Sequence, residues 1–138
     1  MVKLFILMFC FISLFGCENQ KNQNTTQNPT EEILLYNQNC SSCHGLNLEG
    51  AENWISQKDD NGNNLAPPLD GTGHAWHHSR ELLFNTIKYG YYFYDRNYKG
   101  NMIGFEEKLL DQEIYQIIDY IYDSWPDEIK SNYNEIHN

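Results

Sequence analysis

Cys40-Ser41-Ser42-Cys43-His44 is the stretch of this chain whose residue types and spacing define the most specific chemistry. Two thiols three positions apart can each form a thioether to a vinyl group on a porphyrin edge. The histidine directly after the second cysteine is then held against the iron, so the pattern is that of a c-type haem attachment site. Three other readings compete: a chance match, half of a zinc site, or a redox pair. A structural zinc site needs further ligands at paired spacing, and the sequence has no second pair of this kind. A redox C-x-x-C should open a helix after a buried strand, and no apolar strand precedes Cys40.

Two further groups of residues could bind or react. Gly71-Thr72-Gly73-His74-Ala75-Trp76-His77-His78 concentrates imidazoles, leaving only His44 and His137 elsewhere. H-x-x-H-H outside the cytoplasm would suit copper or zinc, although no nearby cysteine or spare methionine completes such a site. Met102 is the sole methionine beyond Met1 and Met8, and its thioether is a soft ligand for iron or an ordinary packing group. Asp59-Asp60-Asn61-Gly62-Asn63-Asn64 has the flavour of a calcium loop, but the spacing and terminal glutamate of an EF-hand are missing, so it reads as a turn.

These groups must be positioned by a short chain of 138 residues, one domain with appendages. Residues 1–16 read as an export signal: Lys3, then an apolar run from Leu4 to Phe15, too short to span a bilayer comfortably. Leu14-Phe15-Gly16-Cys17 is similar to a bacterial lipobox, which makes Cys17 the expected lipidated residue; an uncleaved anchor is the alternative. Both place the domain on the extracytoplasmic, periplasmic side of a bacterial membrane. Residues 17–29 are polar and Asn/Gln-rich, a disordered tether. Residues 30–126 form the domain, and 127–138 read as a polar C-terminal tail.

Within the domain, Thr30 is expected to cap a helix carrying Ile33, Leu34 and Tyr36 into the cysteine motif. The chain from 45 to 68 reads as loop. Ser79 caps a middle helix with Leu82, Leu83 and Ile87 apolar, closed by Gly90, and a Tyr-rich segment follows from Tyr91 to Tyr98. Asp111 is expected to cap the last helix, where Ile114, Ile117, Ile118, Ile121 and Trp125 fall on one face and Pro126 ends it. Without strand-like alternation the domain is all-α, with three to four short helices. Loss of the signal removes Lys3 and leaves eight basic residues against nineteen acidic, one unit more negative than the whole chain's −10. Such a surface excludes nucleic acid as a partner and suits docking to a basic patch.

The ordered set resembles a class I (mitochondrial-type) monohaem cytochrome c, in an exported lipoprotein form, over roughly residues 30–126. The resemblance rests on the helix entering Cys40, Gly45 after the histidine, Ala66-Pro67-Pro68-Leu69 with Gly71, the segment Gly100-Asn101-Met102-Ile103-Gly104-Phe105, and the final helix. It implies one covalent haem c on Cys40 and Cys43, with His44 and Met102 as axial iron ligands. It also implies that the Pro67 carbonyl accepts a hydrogen bond from His44, and that His74 and Trp76 donate to haem propionates. The first and last helices should cross with Tyr36 on Tyr120. The family's usual glycine eight residues before the first cysteine is Glu32 here, which predicts a wider or shifted crossing. A void of porphyrin size is expected beside His44.

The function implied is that of a carrier of single electrons between extracytoplasmic, membrane-associated redox partners, not of an enzyme, with no small-molecule substrate identified. A Met thioether opposite His favours ferrous iron and fills the coordination sphere. Two other classes of function remain open at this point. One is a haem-containing accessory protein that binds copper through His74, His77 and His78 and changes its oxidation state. The other is a small sensor or gas-binding protein with a vacant sixth site.

Overall fold

Helix α1 (Glu31–Asn39) starts at Thr30, whose extended backbone caps it without a side-chain bond. The computed structural model describes residues 30–137, so the expected export signal at 1–16, Cys17 and the tether at 17–29 lie outside the described residues. A single irregular residue, Cys40, separates α1 from the one-turn helix α2 (Ser41–His44). After a long loop come α3 (Arg80–Tyr89), α4 (Asp111–Ser124) and α5 (Asp127–His137). Short 3₁₀ turns occupy Ala75–His77 and Tyr91–Phe93. Among the described residues there is no strand, only isolated bridges joining Lys58 to Asn64 and Asn64 to Gly100.

The core follows from the isoleucine stripe. Ile114, Ile117, Ile118 and Ile121 recur at helical spacing on α4 and are all buried there. Each contributes about 1.5–3 kcal/mol by leaving water. Helix α1 packs across this stripe, with Tyr36 fully buried and its ring 5.2 Å from that of Tyr120 at an interplanar angle of 50°. Helix α3 lays Leu83, Phe84 and Ile87 against the same helix. Glu32 sits in the first turn of α1, where its own backbone N–H and the Thr30 hydroxyl hold its carboxyl below the usual carboxylate range. Helices α1 and α4 are in contact, with a glutamate at this place.

Two boundaries differ from expectation. Leu110, not Asp111, is the cap of α4: its N–H donates to Glu113 Oε2 at 2.7 Å, while the Asp111 carboxylate accepts from Lys88 Nζ at 2.7 Å. The expected polar tail at 127–138 is helical through His137. Pro126 ends α4 but also starts α5, its carbonyl accepting from the Lys130 N–H at 3.0 Å, as proline suits a helix entry as well as an exit. Ile129 and Tyr133, four apart, give α5 an apolar stripe that packs on Trp125 and Tyr122. Among the described residues there are thus five helices, one or two more than the three to four expected of the all-α domain.

Candidate functional site

Cys40, Cys43 and His44 follow one another through a single turn. The Cys43 and His44 N–H groups both donate to the Cys40 carbonyl, at 3.1 and 2.9 Å. The Tyr36 hydroxyl donates to the Gly45 carbonyl at 2.7 Å and fixes the way out of that turn. Both thiols are free, Cys40 half-buried and Cys43 exposed. Burial, reinforced by the neighbouring Cys43, pushes the Cys40 thiol up to about 11. The Cys40 thiol thus keeps its proton at neutral pH, and an S–H can add across a carbon–carbon double bond with no redox partner.

His44 is buried, at 9% exposure, and its Nδ1 is 2.8 Å from the Pro67 carbonyl oxygen. A carbonyl only accepts, so Nδ1 carries the proton and Nε2 presents a lone pair. Burial lowers the imidazole's affinity for a second proton, and the Pro67 bond partly opposes that. Neutral imidazole with one nitrogen committed and the other open is the state that ligates a metal. Proline suits the accepting position because its missing N–H leaves no donor to satisfy.

The 67–69 loop that holds His44 is itself tied down. The Leu69 N–H donates to the Leu48 carbonyl at 2.7 Å, and the Trp125 indole N–H donates to the Leu69 carbonyl at 2.8 Å. Gly50, at φ +69°, lets the 48–51 turn approach so closely that a Cβ there would collide with the backbone of Pro67 and Pro68. Trp125 therefore links the end of α4 to Leu69, two residues beyond Pro67. It reads in the sequence only as the last apolar residue of a helix face, although a buried indole N–H always needs an acceptor.

Met102 is half-buried and packs against the core cluster, as do Cys40, Leu69 and Phe105. Its segment is pressed onto the end of α3. The Phe105 N–H donates to the Ile87 and Lys88 carbonyls at 3.0 and 2.9 Å. Gly90, at φ +77°, would place a Cβ 2.9 Å from the Met102 carbonyl oxygen and 2.8 Å from the Gly104 nitrogen, so only glycine permits the contact.

In the His-rich loop, the Trp76 indole N–H donates to the Gly73 carbonyl at 3.1 Å, a contact within its own turn. Exposed His74 stacks on Trp54 at 5.6 Å, and exposed His77 stacks on Trp76 at 3.6 Å. His78 is half-buried and meets His74 edge-on at 5.5 Å. With the rings turned to different neighbours, no group of three His, Cys, Asp or Glu side chains among the described residues is placed to hold a metal ion.

Two of the hollows on the described surface lie away from the cysteine motif. One of about 210 Å³ lies among α3, α4 and α5, bordered by Leu83, Tyr122 and Tyr133, and a shallower one lies beside Arg80 and Tyr115. Neither is lined by His44 or Met102, so the porphyrin-sized void expected beside His44 is not one of these two. What the structure brings together there is a donor set: two unpaired thiols and one imidazole with a free Nε2. Those donors fit a group that takes two thioether bonds and one axial nitrogen.

No curated protein matches the chain. The Cytochrome c family model matches residues 34–125, from the middle of α1 to the end of α4.

Proposed function

The chain belongs to the cytochrome c family, and from that premise we propose that it is a lipid-tethered monohaem carrier of single electrons between membrane-associated redox partners. Family membership makes it a haem-containing electron carrier. The finer statement concerns these residues and their place. The Cys40 and Cys43 thiols would hold one haem c, and His44 Nε2 and the Met102 sulfur would ligate its iron. When bound, the group supplies reversible one-electron exchange at iron. The chain's own part is to orient and tune: Pro67 fixes the His44 tautomer, and the Leu48, Leu69 and Trp125 bonds fix Pro67.

The observation that carries this reading is the His44–Pro67 hydrogen bond beside two free thiols, because it engages Nδ1 and leaves the Nε2 lone pair open to a metal. Cys17, lipidated after removal of residues 1–16, would hold the domain at an extracytoplasmic membrane surface, and the tether would raise its local concentration near partners. The acidic surface, at net −10 for the chain, suits partners with a basic docking patch.

The test is expression of the full chain in a bacterium that matures c-type cytochromes. The reading expects haem that stays with the denatured polypeptide and titrates as a single one-electron couple. It also expects no carbon monoxide binding to the reduced protein at neutral pH, and release of the Cys17→Ala variant from the membrane fraction. Extractable haem, or rapid carbon monoxide binding, would overturn it.

A further inference from the structure

The turn that the sequence assigns to Asp59–Asn64 is joined to the segment just before Met102. The Asp59 carboxylate accepts four hydrogen bonds. Its Oδ1 takes the N–H of Asn61 at 2.9 Å and of Asn63 at 2.7 Å, while its Oδ2 takes Asn63 Nδ2 at 3.0 Å and Asn101 Nδ2 at 3.0 Å. Asn63 Nδ2 also donates to Asn101 Oδ1 at 3.2 Å. Alongside, the Asn64 N–H donates to the Lys99 carbonyl at 2.7 Å, and Asn64 forms a bridge with Gly100. Two segments about forty residues apart are thus tied at three consecutive positions, Lys99, Gly100 and Asn101, and the next residue is Met102.

On its other side the Met102 segment is held by Phe105 and Glu106, whose N–H groups donate to the Lys88 carbonyl at 2.9 and 3.0 Å. Met102 therefore spans two anchorages, one on α3 and one on the Asp59 turn. The chemistry of the second demands a carboxylate. Only a group that accepts on both oxygens can meet four donors; an amide would turn an NH₂ toward the donors of Asn63 or Asn101. The backbone and side-chain donors of Asn63 also hold the Asp59 carboxyl below its usual range, so it is ionised at neutral pH.

We propose that Asp59, acting through Asn101, is a positioning residue that keeps Met102 on the iron. This rests on Met102 being the sixth ligand, as proposed above. Releasing Asn101 lets the 99–102 segment move while α3 and α4 stay packed, which raises the fraction of molecules in which the thioether has left. An added ligand that competes for the sixth site reads that fraction directly, since its apparent affinity rises in proportion to the competent population.

The experiment is titration of imidazole into the ferric, haem-loaded full chain, followed by absorbance, for wild type, Met102→Ala, Asp59→Asn, Asn101→Ala and the double variant Asp59→Asn/Asn101→Ala. Asp59→Asn keeps an oxygen for the Asn61 and Asn63 amides and so keeps the turn, and Asn101→Ala leaves the turn untouched; one of them reports even where the other folds poorly. Met102→Ala should bind imidazole most tightly. Asp59→Asn and Asn101→Ala should each bind about tenfold more tightly than wild type, and the double variant no more tightly than either alone, because both break the same link. Asp70→Asn is the control: its carboxylate caps a similar turn at Thr72, at 2.9 Å, with no link to Asn101. Wild-type affinity in both single variants, with tight binding by Met102→Ala, would overturn the role of Asp59 and leave the ligand assignment standing. Wild-type affinity in Met102→Ala would overturn both.

Discussion

Replacing Trp125 with Phe separates the packing of α4 from its hold on the haem-side loop. Trp125 is 3% exposed, its ring is 5.5 Å from that of Tyr122 and 5.3 Å from that of Tyr133, and its indole N–H meets the Leu69 carbonyl at 2.8 Å. Phe keeps most of the ring contacts but has no donor. An acceptor left without its partner in a half-buried loop costs about 1–2 kcal/mol. The smaller ring adds about 1 kcal/mol through the space it leaves. Together these give a loss of about 2–3 kcal/mol, a large share of the roughly 5–15 kcal/mol typical of a domain. Guanidinium unfolding of the haem-loaded protein, followed by far-UV circular dichroism, should show a lower midpoint at unchanged slope. Tyr122→Phe is the control: among the described residues its hydroxyl pairs with exposed Asn134, so a change within about 0.5 kcal/mol is expected. A Trp125→Phe loss no larger than that of Tyr122→Phe would refute the assignment of the Leu69 bond as a structural tie.

Other variants probe the remaining anchorages. Tyr36→Phe removes a buried hydroxyl from the Gly45 carbonyl and should cost about 1–2 kcal/mol in the same unfolding assay; wild-type stability would contradict the role of that bond. Gly90→Ala places a Cβ against the Met102 and Gly104 backbone and should cost about 2 kcal/mol or more, whereas Gly62→Ala, also at positive φ but facing open space, should cost about 1 kcal/mol. Equal losses would show that the close approach at Gly90 is unimportant. Burial, together with the nearby His74, His77 and His137, holds the His78 imidazole below its ordinary value. The unfolded chain then takes up that proton first, so stability present at neutral pH is lost as pH falls below about 6.5. Amide exchange in α5, corrected for intrinsic rates, should be faster at pH 5 than at pH 7 and less pH-dependent in His78→Ala; identical protection at both pH values would contradict this.

What the sequence made legible was local. The haem motif, the Ser79 cap that accepts from the Leu82 N–H at 3.2 Å, and the isoleucine stripe of α4 are each written within one or two turns of chain. Helix α5 escaped because Pro126 is equally at home ending one helix and starting another, and because Ile129 and Tyr133 form a stripe too short to stand out in a polar segment. The contact of Trp76 with Gly73 was not foreseen, because it depends on the 3₁₀ turn at Ala75–His77 bringing that carbonyl within reach of the indole N–H. Contacts across long separations were the hardest to foresee. Trp125 to Leu69 and Asp59 to Asn101 depend on how the loops fold back, and no local pattern of residue types marks either pair.

The most direct measurement of the central claim, that His44 and Met102 grip one iron from both sides, is the long-wavelength absorption spectrum of the ferric, haem-loaded protein beside Met102→Ala. Ligation by the thioether predicts a weak sulfur-to-iron charge-transfer band at the red edge of the wild-type spectrum and its loss in the variant. A wild-type protein without that band, or a variant that retains it, would contradict the claim.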